Sequence, residues 1–167
     1  VSFSDITIST TGTSISSAIM LTDRADYFTV QDCDIIAPIT SVSSVMPFTT
    51  SSSVNHTMNS GDNANHFTIN RSNIIGGYYG VVAMNLNNSN GRGIRIADSK
   101  FTDQNFSGIY LFYQDSILIE GNEISMSSSG SSSGNGIYIY RTNNFELLSN
   151  KLNVEGTGMY VQYANFF

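Results

Sequence analysis

Five aromatic residues carry the most informative spacing in this chain: Tyr110, Phe112, Tyr138, Tyr140 and Tyr160. Each sits two or four residues after a glycine, in Gly108-Ile109-Tyr110-Leu111, Gly136-Ile137-Tyr138-Ile139 and Gly158-Met159-Tyr160-Val161. Rings at such spacing suit contact with a flat ligand face, and the phenol hydroxyls add donors and acceptors. Acid–base and cation chemistry has fewer candidates. The carboxylates are Asp32, Asp34, Asp98 and Asp103, and the bases are Arg71, Arg95, Lys100 and Lys151. His56 and His66 stand ten residues apart, which is no metal-ligand spacing, and both read as ordinary loop histidines. Cys33 is the single cysteine, so there is neither a disulfide framework nor a cysteine-based zinc site. No Ser/His/Asp nucleophile context, phosphate loop or dinucleotide fingerprint occurs.

The elements that must position these residues come from internal repetition. An apolar residue, two variable residues, a small or amide residue, one variable residue and a second apolar residue recur. The copies begin at Val1, Val30, Ile69, Ile96, Ile119 and Leu147, at separations of 29, 39, 27, 23 and 28 residues. A second pattern interleaves with the first: the three glycine-led tetrads above, with looser copies at Gly80-Val81-Val82-Ala83 and Ala18-Ile19-Met20-Leu21. Alternation of period two gives a strand with one buried face. Each strand is too short to bury that face alone, so successive coils must stack at ~4.8 Å. The expected fold is all-β, a right-handed parallel β-helix of about five to six coils, forming one segment over residues 1–167.

Within this reading Ser4, Cys33, Ser72, Ser99, Asn122 and Asn150 form an inward ladder at a turn, with Cys33 a buried member and not a reactive thiol. Arg95 points outward between Ile94 and Ile96, and Asp34, Asn73, Lys100, Glu123 and Lys151 form an outer column of mixed charge. Residues from about 38 to 65 are expected to leave the coil as an insertion, and the loop from Ser125 to Asn135 is nearly all Ser and Gly. Val1 reads as mid-strand and Phe167 as the start of a next strand. The expectation is an uncapped fragment with further coils on both sides.

Composition narrows the function classes. Only 12% of residues are charged, the net charge is −6, and Lys and Arg are too few to neutralise a row of phosphates, so nucleic acid is set aside. No apolar run reaches the ~18 residues of a membrane span. The Asn/Ser/Thr-rich, Lys-poor surface favours an extracellular or cell-surface setting.

The Ile-x-x-Asn-x-Ile and Gly-Ile-x-Leu alternation resembles the right-handed parallel β-helix repeats of pectate-lyase-like proteins. It is most similar to the NosD-like and the carbohydrate-binding and sugar-hydrolysing repeat groups, and is clearest over residues 91–167. Lyases of that resemblance use an acidic cluster for calcium and a Lys or Arg base; no other cofactor is implied. The aspartate-pair and Gly-His-Gly signatures of polygalacturonases are absent. Three readings of the outward rings stay open. They form a platform for a polysaccharide or a neighbouring protein domain on a structural or adhesive surface protein. They line the subsites of a carbohydrate-active enzyme, a polysaccharide lyase or glycoside hydrolase. Or a flanking loop or domain covers them as core.

Overall fold

The computed structural model describes residues 1–55, 57–61, 64–86, 91–126 and 134–163. Three parallel sheets wind around one apolar column. The first sheet comprises Ser2–Ser4, Thr29–Gln31, Thr68–Asn70, Arg95–Ala97, Gln114–Glu120 and Asn143–Leu148, with Gly91–Arg92 paired to the start of the fifth strand. The second comprises Thr7–Ser9, Asp34–Ile36, Asn73–Ile75, Lys100–Thr102, Glu123–Ser125 and Lys151–Asn153. The third comprises Ser16–Leu21, Val45–Thr50, Tyr79–Met84, Ser107–Phe112, Asn135–Tyr140 and Thr157–Gln162. The right-handed parallel β-helix expected from the alternation is the observed architecture, with about six coils.

Register follows from which side chains fill the column. In the first sheet Phe3, Val30, Ile69, Ile96, Ile119 and Leu147 align, and in the second Ile8, Ile35, Ile74, Phe101, Ile124 and Leu152. The third adds Ile19, Phe48, Val81, Ile109, Ile137 and Met159. From the second to the fifth coil these side chains are fully buried. Each such aliphatic side chain contributes about 1.5–3 kcal/mol. The end coils leave Val1, Phe3, Met159 and Val161 exposed.

The register corrects the first coil. Phe3, not Val1, pairs with Val30, and Ile8, not Ile6, pairs with Ile35. Ile6 therefore occupies the ladder place assigned to Ser4, and Val1 takes the leading apolar position of Phe28 and Phe67. A slip of two residues keeps every side chain on its own face, so alternation cannot distinguish the two registers.

The remaining ladder is continuous. Cys33 N–H donates to Ser72 Oγ (3.2 Å), Ser72 N–H to Ser99 Oγ (3.1 Å), Ser99 N–H to Asn122 Oδ1 (3.0 Å) and Asn122 N–H to Asn150 Oδ1 (3.0 Å). Asn122 Nδ2 also donates to the Ile96 carbonyl (2.9 Å) and Asn150 Nδ2 to that of Ile119 (2.8 Å), adding side-chain links between coils that the strands already pair. Cys33 is buried with its thiol on the Gln31 carbonyl (3.1 Å).

The corners are left-handed backbone, repeated coil after coil. Asp5, Asp32, Arg71, Asp98, Gly121 and Ser149 stack after the first sheet with φ of 56, 54, 43, 49, 63 and 54°. Tyr27, His66, Gly93, Ser116 and Asn144 stack before it with φ of 58, 52, 71, 55 and 46°. Only two of these eleven are glycine, although side chains normally avoid this region. The stack supplies the compensation: the N–H groups of Asp5, Asp32, Arg71, Asp98 and Gly121 each donate to a carbonyl of the next coil. At Gly76 (φ 72°) and Gly77 (φ 81°) glycine is required in addition for space. A Cβ on Gly76 would lie 2.1 Å from the Ala37 carbonyl oxygen.

The segment expected to leave the coil at about 38–65 contains a regular strand, Val45–Thr50, stacked between Ser16–Leu21 and Tyr79–Met84. Its Pro47-Phe48-Thr49-Thr50 lacks the glycine-led signature but keeps the inward Phe48. The departure from the coil starts after Thr50 and folds back over the third sheet. Ser52 N–H donates to the Asn59 carbonyl (3.1 Å) and Thr57 Oγ1 to that of Ser44 (2.9 Å).

Candidate functional site

The third sheet presents two outward columns. One is Met20, Thr49, Val82, Tyr110, Tyr138 and Tyr160; beside it run Met84, Phe112, Tyr140 and Gln162. All five aromatic residues singled out in the sequence thus share one face, because residues on alternate positions of stacked strands point the same way.

Their packing differs from free rings lying flat. Tyr110 and Tyr138 have centroids 4.7 Å apart with planes at 18°, and Tyr138 and Tyr160 are 4.9 Å apart at 9°. Phe112 and Tyr140 are 4.5 Å apart at 27°. Nearly parallel planes at so short a separation require overlapping faces; coplanar rings would collide. Ring faces therefore meet along the axis and ring edges are turned outward, with the Tyr160 hydroxyl donating to Gln162 Oε1 (2.9 Å). Tyr110, Phe112, Tyr138 and Tyr140 are half-buried by one another, and Tyr160 is exposed.

Towards the earlier coils the face is covered. Met46, Tyr79 and Val82 form a buried cluster outside the sheet, with Met58, Tyr78, Met84, Phe106 and Tyr110 packed on it. Met58 comes from the segment that folds back after Thr50. Covering and open platform thus both occur, at opposite ends of one surface. The covered end raises its phenols: burial pushes Tyr110 up to about 12, and Tyr79 is raised further by the same cause.

Sequence reasoning missed Arg141. It follows the strand Asn135–Tyr140, and its guanidinium lies 5.5, 5.2 and 5.5 Å from the ring centroids of Tyr113, Tyr140 and Tyr163. It donates to Tyr113 Oη (2.7 Å). The signal was available, since Tyr113, Arg141 and Tyr163 each follow an outward aromatic or amide residue by one position. That recurrence is a repeat of position that alternation alone does not reveal.

The acidic and basic candidates lie elsewhere. Arg71 forms a two-point pair with Asp32 (2.9 and 2.8 Å), which holds the Asp32 carboxyl below its ordinary range. Arg95 points outward and pairs with Glu120 and Asn70. The mixed column forms as read: Asp34, Asn73, Lys100, Glu123 and Lys151 align, with Asn73 Nδ2 on Asp34 (2.7 Å) and Lys151 on Glu123 (2.9 Å). Asp98 sits in the left-handed column beside Gly121, and Asp103 begins the next turn at φ 64°. None of these residues belongs to the two outward columns of the third sheet. His66 stacks on Tyr27 (4.9 Å, 6°). His56, the loop residues Ser127 to Ser133 and Phe167 lie outside the described residues.

Three parallel sheets around a single column, with an amide and hydroxyl ladder at one corner, define a right-handed parallel β-helix protein. The chain belongs to the family described as periplasmic copper-binding protein (NosD), whose model matches residues 6–166. No curated protein and no solved structure matches it.

Copper sites draw on imidazole, thiolate and thioether donors. Cys33 is enclosed with its thiol on a carbonyl, and among the described residues no three His, Cys, Asp or Glu side chains gather as a metal-holding group. Met46, Met58 and Met84 share the outer cluster, where Met46 is fully buried against Tyr79 and Val82 and acts as packing. The described donor set does not fit a copper centre.

Proposed function

We propose that this chain is a structural and adhesive β-helix segment, acting at the cell surface or in the periplasm, that binds a glycan along the open end of its third sheet. The observation that carries the reading is the pair of outward aromatic columns over three successive coils, Tyr110/Phe112, Tyr138/Tyr140 and Tyr160, which repeat at 4.7 and 4.9 Å along the axis. A polymer lying along the axis meets the same edge and hydroxyl at every coil, so weak contacts add up over its length. Binding is favoured over catalysis because neither outward column holds a carboxylate or a lysine beside the rings.

The test is a glycan array probed with this chain and with Tyr138→Ser. The parent binds a defined set of polysaccharides, and the variant loses most of that signal while keeping its melting temperature within a few degrees. Unfolding of Tyr138→Ser would mean that the ring is core and not platform. Cleavage of a bound polysaccharide by the parent would replace adhesion with the lyase or hydrolase reading.

A further inference from the structure

We infer that the glycan taken by this face is an acidic one, bearing carboxylates, and that Arg141 reads them; the inference rests on the platform reading and specifies its ligand. Three independent observations converge. The first is ring orientation. An aromatic ring is electron-rich on its faces and electron-poor at its edge. Here the faces of Tyr110, Tyr138 and Tyr160 are turned on one another, as are those of Phe112 and Tyr140. What is turned outward is a row of electron-poor edges, with the Tyr160 hydroxyl donating to Gln162 Oε1 (2.9 Å), a lining for electron-rich oxygen.

The second is charge placement. The chain has 13 Asp and Glu against 7 Lys and Arg. Yet the outward columns from Met20 to Tyr160 and from Met84 to Gln162 contain no acid at all. Three of the carboxylates elsewhere, Asp32, Glu120 and Glu123, have their own cations in Arg71, Arg95 and Lys151. Fields from the remaining acids fall off over ~8 Å at physiological ionic strength. The two columns themselves therefore carry no negative side chain.

The third is Arg141. Among the described residues it is the one cation found over rings of this face, and no carboxylate there pairs with it. Its neighbours are the three rings of Tyr113, Tyr140 and Tyr163, which hold the guanidinium without neutralising it. A planar guanidinium held in place matches a carboxylate at two points. A single such cation suits a polymer with one carboxylate per sugar. It does not suit a nucleic acid, whose charge density demands a row of cations.

The test uses this chain with two probes of one backbone: a β-1,4-linked glucuronate oligosaccharide and the β-1,4-linked glucose oligosaccharide of the same length. Calorimetry on the parent gives tighter binding of the uronate by roughly tenfold or more, the scale of one charge-assisted hydrogen-bonded pair. In Arg141→Gln the ratio of the two affinities falls towards one. Arg141→Lys, which keeps the charge and loses the planar fork, retains only part of the preference. Thermal melts of both variants establish that the third sheet is intact. Equal binding of the two probes by the parent, or an undiminished uronate preference in a folded Arg141→Gln, would overturn the inference and leave the platform standing. Binding of neither probe, with a blank glycan array, would overturn the platform itself.

Discussion

Tyr110 stands at the boundary between the covered and the open end of the third sheet, and its titration reports which side it belongs to. Burial raises its phenol to about 12 from an unperturbed value near 10. The neutral phenol is therefore favoured in the folded chain. Below about 10 both states hold the proton and the stabilising difference is intact. As pH rises from about 10 through about 12 the unfolded chain ionises first, and stability is lost. Urea unfolding across that range should show a falling midpoint in the parent and a shallower fall in Tyr110→Phe, which has nothing to ionise. An identical fall in both would mean that Tyr110 is solvated. The five aromatic positions were legible in the sequence because outward parity needs only alternation. That their faces would be consumed by one another was not, since ring orientation depends on χ angles that spacing does not specify. Arg141 was missed for a related reason: it lies one residue beyond the regular strand, at φ 50°, where parity no longer applies.

At the scale of the element, the ladder and the corners do different work. Asn122 accepts from Ser99 N–H and donates to the Ile96 carbonyl, both inside the column. Asn122→Ala removes the acceptor of the Ser99 N–H and a donor to the Ile96 carbonyl. It should cost about 1–3 kcal/mol in chemical denaturation, whereas the same substitution at exposed Asn153 should cost much less. Equal effects at the two sites would show that the ladder is not a stabilising device. The ladder was readable from Cys33 onward because small and amide residues recur there. It failed at Ser4, where Ile6 stands in the ladder position and apolar residues two apart offered two equivalent registers. Val45–Thr50 was hidden for the converse reason: Pro47 and Thr49 replace the expected glycine-led pattern, and only inward Phe48 marks the strand. The left-handed corners at Tyr27 and Arg71 were invisible because these residue types give no local signal for that backbone. The neighbouring coil imposes it.

At the scale of the whole molecule, the inner column and the outer face are independent. Ile137 and Leu111 are fully buried in the column shared by all three sheets. Ile137→Asp or Leu111→Asp should cost several kcal/mol, through an unpaired charge among aliphatic neighbours. Circular dichroism melts would show this as a large fall in melting temperature, and a parent-like melt would reverse the assignment of inward and outward faces. The fold was legible at this scale because one rule, alternation repeated every 23 to 39 residues, dictates it. The direction of the aromatic face was legible too. Its charge was not, because the net value of −6 sums over faces that only the winding separates.

The corner columns have a consequence for how such a chain changes over generations. Each left-handed residue is held by the coil beside it, and the later coils each repeat a ladder rung, left-handed corners and outward rings. A coil is therefore a unit of inheritance as well as of structure. An in-frame duplication of one turn lengthens the rod, adds a rung and extends the ring row by one member, with every junction already familiar to its neighbours. A lineage built this way can lengthen its aromatic row by whole numbers without designing a new surface.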